Sequence, residues 1–377
     1  MININIAGDF CVKNLNGLKF GSELREELSK SEINIVNLES PIKAKGAIPI
    51  KKSGPHHYQD NMVPSFLGDN GFNVISLANN HIMDYGEESL VTTKQCFKDA
   101  LLIGAGTFED AYSVKVVSID GTDIGFMSIT QFEFGVLDED AYNDNKVGTA
   151  WMCHPYVDEI IIKAKLKCDY LFVLPHAGLE LYELPLPEIR TLYRHFINIG
   201  ADGVIGSHPH VPQCWEFYKE KPLVYSLGNF CFDKEHAYEL WFYGLIAQLQ
   251  LSGGKIDLYI KTIHYDIRKR IVDIINSLKL NKTLESNNAI FHNEKDYIKS
   301  VNKKCLSLES YYDTLYEMSG FIKPTLQKCL GVIKHVLFTS KKEGLYNKAH
   351  FINNIRCETH RWIQSRIYEL TFNKQNQ

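Results

Sequence analysis

The sequence contains no apolar run approaching the roughly 18 to 20 residues that cross a bilayer. Met1 to Phe10 carries neither a basic start nor the apolar core of a secretion signal. Nothing in it is expected to send the chain through a membrane. Paired cysteines are lacking as well. The nine cysteines, at 11, 96, 153, 168, 214, 231, 305, 329 and 357, form no CxxC pair and no regular spacing. That argues against a disulfide framework or a zinc knuckle and fits a reducing cytoplasm. Also missing are a GxSxG elbow, a GxxxxGK[ST] phosphate loop and a GxGxxG turn after the first strand, so serine-hydrolase and nucleotide-fold readings have no support. There is no internal repeat and no low-complexity stretch. The Asn-Lys-Thr sequon at Asn281 carries no weight without a secretion signal.

What is present is ordinary globular composition: 45% hydrophobic, 12% aromatic and 23% charged residues over 377 positions. Disorder and fibrous repeats are excluded, and the length calls for a large domain with an appendage or for two domains. The net charge of -4 hides an asymmetry, because residues 266–377 hold 19 Lys and Arg against 11 Asp and Glu. The front of the chain is acidic and the back basic, which points to regions with different roles. A solvated helical face accounts for the basic excess equally well.

Short β-branched segments alternate with helical spacing through the first 265 residues, the signature of an α/β architecture. Strands are expected at Ile2 to Ala7, Ile33 to Leu38, Val74 to Leu77, Ile124 to Ile129, Tyr170 to Leu174, Gly203 to Ile205 and Leu223 to Ser226. Helices are expected at Glu87 to Ala100, Tyr156 to Leu166 and Leu186 to Ile199, the last with Pro187 in its first turn and Gly200 past its end. Tyr243 to Leu251 and Ile256 to Ile263 read as an antiparallel pair turning at Ser252-Gly253-Gly254. After about Asp266, Gly and Pro become sparse and apolar residues such as Leu306, Tyr312, Leu315 and Met318 recur at helical spacing. The division expected is therefore 1–265 and a basic, mainly helical 266–377.

The polar, metal-capable residues fall at the carboxyl ends of the expected strands, the edge where ligands bind in open α/β sheets. These segments are Gly8-Asp9, Asn37-Leu38-Glu39, Asn79-Asn80-His81 with Asp84, Pro175-His176 with Glu180, Ser207-His208-Pro209-His210, and Gly228-Asn229. Singly, each has a plain structural explanation as a cap, a turn or a packed ring. Together they supply the oxygen and imidazole ligands that metal-assisted hydrolysis requires. Cys11 reads as a buried thiol rather than a nucleophile. His195 lies mid-helix, His56 and His57 in a Gly-Pro turn and His154 before a proline, away from the strand ends. The loops Pro41 to Asp60 and Phe132 to Trp151 are where substrate choice would lie. Lys51, Lys52, His56 and Tyr58 are anion-contact candidates there, against the alternative of an ordinary exposed loop.

These segments, in this order, resemble the bacterial CapA family of poly-γ-glutamate capsule biosynthesis proteins, within the calcineurin-like metallophosphatase superfamily. The resemblance rests on GDF at 8–10, NLESPI at 37–42, SLANNHIMDYG at 76–86, PHAGLE at 175–180, GADGVIGSHPHV at 200–211 and KPLVYSLGNFCFD at 221–233. It covers about residues 1 to 265 and leaves the basic tail unexplained. It implies a four-layer α/β/β/α sandwich followed by the helical region. It also implies one or two divalent ions (Mn, Fe, Zn or Mg), with Asp9 and His210 on the first metal, Glu39 bridging, and Asn80, His176 and His208 on the second. His81 would be the acid that protonates the leaving oxygen, with Asp84 and Glu180 supporting the histidines, and Asn79, Asn229, Lys52 and His56 meeting substrate. The superfamily's first-segment Asp-x-His is here Asp9-Phe10-Cys11, so the first metal loses an imidazole, and one tightly held ion with a weaker second stays open.

By that resemblance the activity would be metal-dependent phosphoester hydrolysis in capsule or surface-polymer synthesis, acting on a phosphorylated sugar or an anionic polymer. Two alternatives stay open: a component of amide-bond formation or transfer, and a non-catalytic scaffold. The family's usual membrane anchor is not seen, giving the expectation of a cytoplasmic protein. The basic tail offers a contact to a capsule assembly or the inner membrane surface. Nucleic acid is disfavoured, because Lys and Arg are dispersed and no reading module is present.

Overall fold

In the computed structural model the chain is described over residues 1–138, 146–313 and 341–375. Leu315, Met318 and part of the Phe132 to Trp151 loop lie outside the described residues. Two compact units are resolved: Met1–Ile50 with His56–His292, and Lys51–Pro55 with Asn293–Gln377.

The first unit is built on two principal sheets. The central strand of the first, Ile2–Cys11, pairs in parallel with Ile33–Leu38, which continues to Val74–Ser76 and Leu101–Ile103. On its other side it pairs antiparallel with Tyr243–Ser252, itself in a hairpin with Lys255–Asp266. The hairpin register pairs Ser252 with Lys255, and Gly253 and Gly254 have φ of 56° and 82°. Two positive-φ positions are what a type I′ turn demands, so the Gly-Gly step sets the register. The second sheet runs in the order Trp215–Tyr218, Lys221–Val224, Gly203–Ile205, Tyr170–His176, Thr122–Thr130 and Lys115–Ile119.

Period-two alternation decides which face each residue takes. Ile2, Ile4 and Ile6 join Ile33, Ile35 and Val74 against Phe126, Phe172, Leu174 and Val224 of the second sheet, forming the core between the sheets. Each such fully buried side chain contributes about 1.5–3 kcal/mol. The opposite face of the first sheet packs Ala7, Phe10 and Val36 against Leu24 and Leu28 of helix Ser22–Ser29, Val63 and Leu67 of Val63–Asp69, and Leu90 of Gly86–Cys96. Helices Tyr156–Lys165 and Pro187–Asn198 bury Val157, Ile161, Ile189, Tyr193 and Phe196 and neighbour strands of the second sheet. The result is the four-layer α/β/β/α order.

Several boundaries differ from the sequence expectation. The helix expected to reach Ala100 ends at Cys96, since the chain must turn to start the strand Leu101–Ile103. The first unit continues past 265. Strand Ile271–Ile274 pairs with Lys255–Asp266 and with Lys19–Phe20, and helix Leu278–His292 sends Leu280 and Leu284 into the inter-sheet core. In the second unit, helices Glu294–Leu306, Lys341–Arg356 and Glu358–Gln375 follow. Arg366 Nη1 donates to Asn302 Oδ1 at 3.2 Å, and Tyr312 Oη lies 2.8 Å from His360 Nδ1. Among the described residues no helix is long and apolar enough to cross a membrane.

Candidate metal centre

Asp9 is aimed by a break in register. The pairing of Ile2–Cys11 slips between Ala7 and Asp9 against Ile33–Leu38, and between Asp9 and Phe10 against the parallel strand Asn229–Phe232. Such irregularities re-aim side chains beside functional sites. Gly8 permits it: a Cβ there would stand 1.9 Å from the Gly228 carbonyl oxygen, to which the Asp9 N–H donates at 3.1 Å. The Ser226 to Phe230 segment is thus not merely a strand end, because it carries the chain from the second sheet to the first and brings Asn229 opposite Asp9.

The imidazoles come from the facing sheet. His176 closes the strand Tyr170–His176, and His208 and His210 follow Gly203–Ile205. Both of the latter have left-handed backbone, with φ of 101° and 59°. Non-glycine residues held there cost about 1–3 kcal/mol each and concentrate at functional sites. The His208 N–H donates to Asp9 Oδ2 at 3.1 Å, which holds the loop against the first sheet.

Two ligand groups result. Glu39, His176 and His208 offer atoms all within 4.8 Å of one another, and so do Asp9, Glu39 and His210. Glu39 belongs to both. Its Oε1 lies 3.6 Å from His176 Nε2 and 3.7 Å from His210 Nε2, while His176 and His210 stand 3.6 Å from opposite oxygens of Asp9. Those spacings are too long for hydrogen bonds. Asn80 Oδ1 and His208 Nδ1 each come within 3.0 Å of His176 Nε2, converging on the first of these groups.

Glu39 is completely buried, and among the described residues neither of its oxygens has a hydrogen-bond partner. A buried carboxylate in that condition costs several kcal/mol unless a cation sits with it. Burial raises the Glu39 pKa, and the Asp9 charge adds to this beyond what His210 and His176 offset. For Asp9, burial acts upward, but His176, His210 and the Asn37 hydrogen bond outweigh it and the carboxyl titrates below its usual range. Burial opposes the charged form of His176, yet Glu39 and Asp9 push it up to about 10; His210 is raised by the same two carboxylates against its own burial. The carboxylates draw positive charge into a dry site, which a divalent ion supplies more fully than protons. Carboxylate, imidazole and amide donors suit Mn, Fe, Zn or Mg alike.

Beside this centre, Asp84 Oδ2 takes His81 Nδ1 at 2.7 Å and the His57 backbone N–H at 2.7 Å. The His57 ring packs edge-on against His81 at 4.6 Å between centroids. Asp84 therefore fixes the tautomer and angle of His81.

The other expected residues divide. Asn79 and Asn229, expected to meet substrate, also engage the protein through both ends of their amides. Asn79 Oδ1 accepts from the N–H groups of His81 and Ile82, and its Nδ2 donates to Asn37 Oδ1 and to the Leu38 carbonyl. Asn229 Oδ1 meets His210 Nδ1 at 2.9 Å and its Nδ2 donates to the Trp241 carbonyl. Glu180 is exposed and makes no hydrogen bond to a histidine among the described residues; only its charge acts on His210. His56 is half-buried with Nε2 on the Ile50 carbonyl at 2.8 Å, and Lys52 belongs to the second unit. Burial pushes the Cys11 thiol up to about 12, with Ser40 as its hydrogen-bond partner, which disfavours the thiolate that a nucleophile needs.

Sequence reasoning placed Asn37 and Ser207 in the strand-end segments without giving them a role, and it passed over Gln131 and Glu133. Asn37 Nδ2 bonds Asp9 Oδ1 at 2.7 Å and lies 3.1 Å from His176 Nδ1; Ser207 Oγ is 3.0 Å from that same nitrogen. Gln131 Nε2 lies 3.0 Å from His208 Nε2 and donates to Glu133 Oε1 at 2.7 Å. Asn37 sits inside the NLE segment and could have been found there; Gln131 and Glu133 follow a strand with no motif to mark them.

The model of the family described as "Bacterial capsule synthesis protein PGA_cap" matches residues 16–234, more than half of the chain. The chain belongs to this family. Among curated relatives it is 34% identical over 172 residues to the capsule biosynthesis protein CapA of Bacillus anthracis, covering 44% of this chain and 41% of that one. It is 33% identical over 175 residues to the PGA biosynthesis protein CapA of Bacillus subtilis, covering 45% and 44%. The matches thus span less than half the length of these relatives. Among solved structures, a putative 5′-nucleotidase from Staphylococcus aureus aligns with a TM-score of 0.45 at 13% identity, covering 76% of this chain and 58% of that one.

Proposed function

We propose that the protein is a metal-dependent phosphoesterase acting on a phosphorylated intermediate of capsule or surface-polymer synthesis. The observation that carries this reading is the buried Glu39 carboxylate, shared by two ligand groups and lacking any hydrogen-bond donor among the described residues. Asp9, Glu39 and His210 would hold one ion, and Glu39, His176, His208 and Asn80 the other. Divalent ions in such a pair act as Lewis acids on phosphoryl oxygens and lower the pKa of water.

The chain's own residues would do the rest. Asn229 presents His210 through its Nε2 by engaging Nδ1. Asn37 and Ser207 hold the Nδ1 side of His176 and leave its Nε2 facing Glu39, Asn80 and His208. With His81 Nδ1 committed to Asp84, proton delivery to the leaving oxygen falls to His81 Nε2. The relatives' names, which speak of capsule and PGA biosynthesis, support placing the reaction on a polymer or its precursor.

The test is a panel of phosphomonoesters, phosphodiesters and sugar phosphates assayed with metal-replete protein beside Glu39→Gln and His208→Ala. Turnover that disappears in both variants supports the reading. No turnover on any substrate, with metal content unchanged in the variants, overturns it.

A further inference from the structure

Four residues near the His81–Asp84 pair form a cationic and aromatic platform. Tyr85 directly follows Asp84, and Tyr58 directly follows His57, whose N–H donates to the same Asp84 oxygen. The two tyrosine rings meet edge to face at 5.9 Å and 83°. Lys13, two residues beyond Cys11 at the end of the Asp9 strand, places Nζ 5.4 Å from the Tyr58 centroid. Lys43, four residues beyond Glu39, places Nζ 6.0 Å from Tyr58 and 4.8 Å from Tyr85. The half-buried His56 lies edge-on to Tyr85 at 6.3 Å.

Both lysines are exposed, and among the described residues neither has a carboxylate within ion-pair distance. Glu87 and Glu88 open the helix behind Tyr85 without pairing to either. Cations held over aromatic faces gain about 0.5–1 kcal/mol each at exposed sites. That restricts two long side chains while leaving their charge unneutralised. Two preset cations beside a reacting centre favour an anionic group over a neutral one, and they raise its local concentration.

We propose that Lys13, Lys43, Tyr58 and Tyr85 form an anion-binding subsite for a charged group flanking the one that reacts. The subsite rests on the phosphoesterase reading for the identity of the neighbouring centre, but its ligand is the flanking carboxylate or phosphate, not the scissile group.

The experiment is calorimetric titration of the full chain with two probes, a linear hexaglutamate and a linear polyphosphate of about ten units, at two salt concentrations. Wild type is compared with Lys13→Gln/Lys43→Gln and with Lys45→Gln, an exposed lysine next to the platform. Metal content and melting temperature serve as fold controls. The subsite predicts at least tenfold weaker binding in the double variant, loss of the salt dependence, and wild-type affinity in Lys45→Gln. The probe that shows the loss names the flanking group as carboxylate or phosphate. Equal affinity of the double variant and wild type for both probes overturns the proposal. So does an equal loss in Lys45→Gln, which would reduce the effect to net charge. Because the readout is binding, failure of hydrolysis in the substrate panel leaves this test intact.

Discussion

Asn229 Oδ1 stands 2.9 Å from His210 Nδ1 while the Asn229 amide nitrogen is tied to the Trp241 carbonyl, so one asparagine fixes the ring of a candidate ligand from the first sheet. Outer-shell partners of this kind contribute about 10–100-fold to metal affinity. Asn229→Ala is therefore expected to weaken, by about that factor, binding of the ion that Asp9, Glu39 and His210 would hold, and to spare binding at the Glu39, His176 and His208 group. Two-step metal titration by calorimetry reads the difference, and an unchanged pair of steps would contradict the role.

The ion-free protein should lose stability on the alkaline side. The folded-state pKa of His176 is raised to about 10 by Glu39 and Asp9 despite its burial. A raised folded value means the stabilisation is complete below the unfolded value near 6.5 and disappears as pH climbs through about 10. Thermal melts of chelator-treated protein should fall across that window, and His176→Asn should flatten the fall. Loading the site must also displace protons, because imidazole binds metal in its neutral form. The binding enthalpy near pH 7.5 is then expected to vary with the ionisation enthalpy of the buffer.

Leaving-group dependence separates the acid from the metal ligands. If His81 delivers a proton, His81→Asn should slow esters of poorly acidic alcohols by about 10²–10⁴-fold and barely affect p-nitrophenyl esters, whose leaving group needs no proton. Asp84→Asn should shift the same balance in the same direction. Equal loss on both substrate types would assign His81 another role.

Cys11 should be inert. With its thiol pushed up to about 12 and buried against Ser40, it is expected to resist thiol reagents in the native protein while the exposed Cys96 reacts. Mass-spectrometric mapping after brief labelling decides this, and Cys11→Ser should keep turnover within about twofold, since no step is assigned to it.

Much of this architecture is legible in the chain because its strands are short, β-branched and buried on both faces. Ile33–Leu38 and Gly203–Ile205 have the expected bounds, and the Gly253-Gly254 turn sets its own register. The strands Lys19–Phe20 and Ile271–Ile274 are too short to show a period; Lys19–Phe20 exists through its pairing with Ile271–Ile274, which itself also pairs with the adjacent Lys255–Asp266. For the site, residue types at strand ends mark the ligand candidates, since only a few side chains suit a cation. They do not separate a substrate contact from a brace. Asn79 and Asn229 look like binding amides in the sequence, and only the structure shows Asn79 tied to the His81 and Ile82 N–H groups and Asn229 to the His210 ring.

Glu39 is placed to serve two metal positions at once, and metal content per chain reads this out. Protein purified without chelators and then equilibrated with Mn or Zn should hold two ions, and Glu39→Gln should lose both or retain a single weak one while keeping its fold. A wild type with no bound ion and no thermal stabilisation by metal, or a Glu39→Gln variant that still binds two, would rule out this role for Glu39.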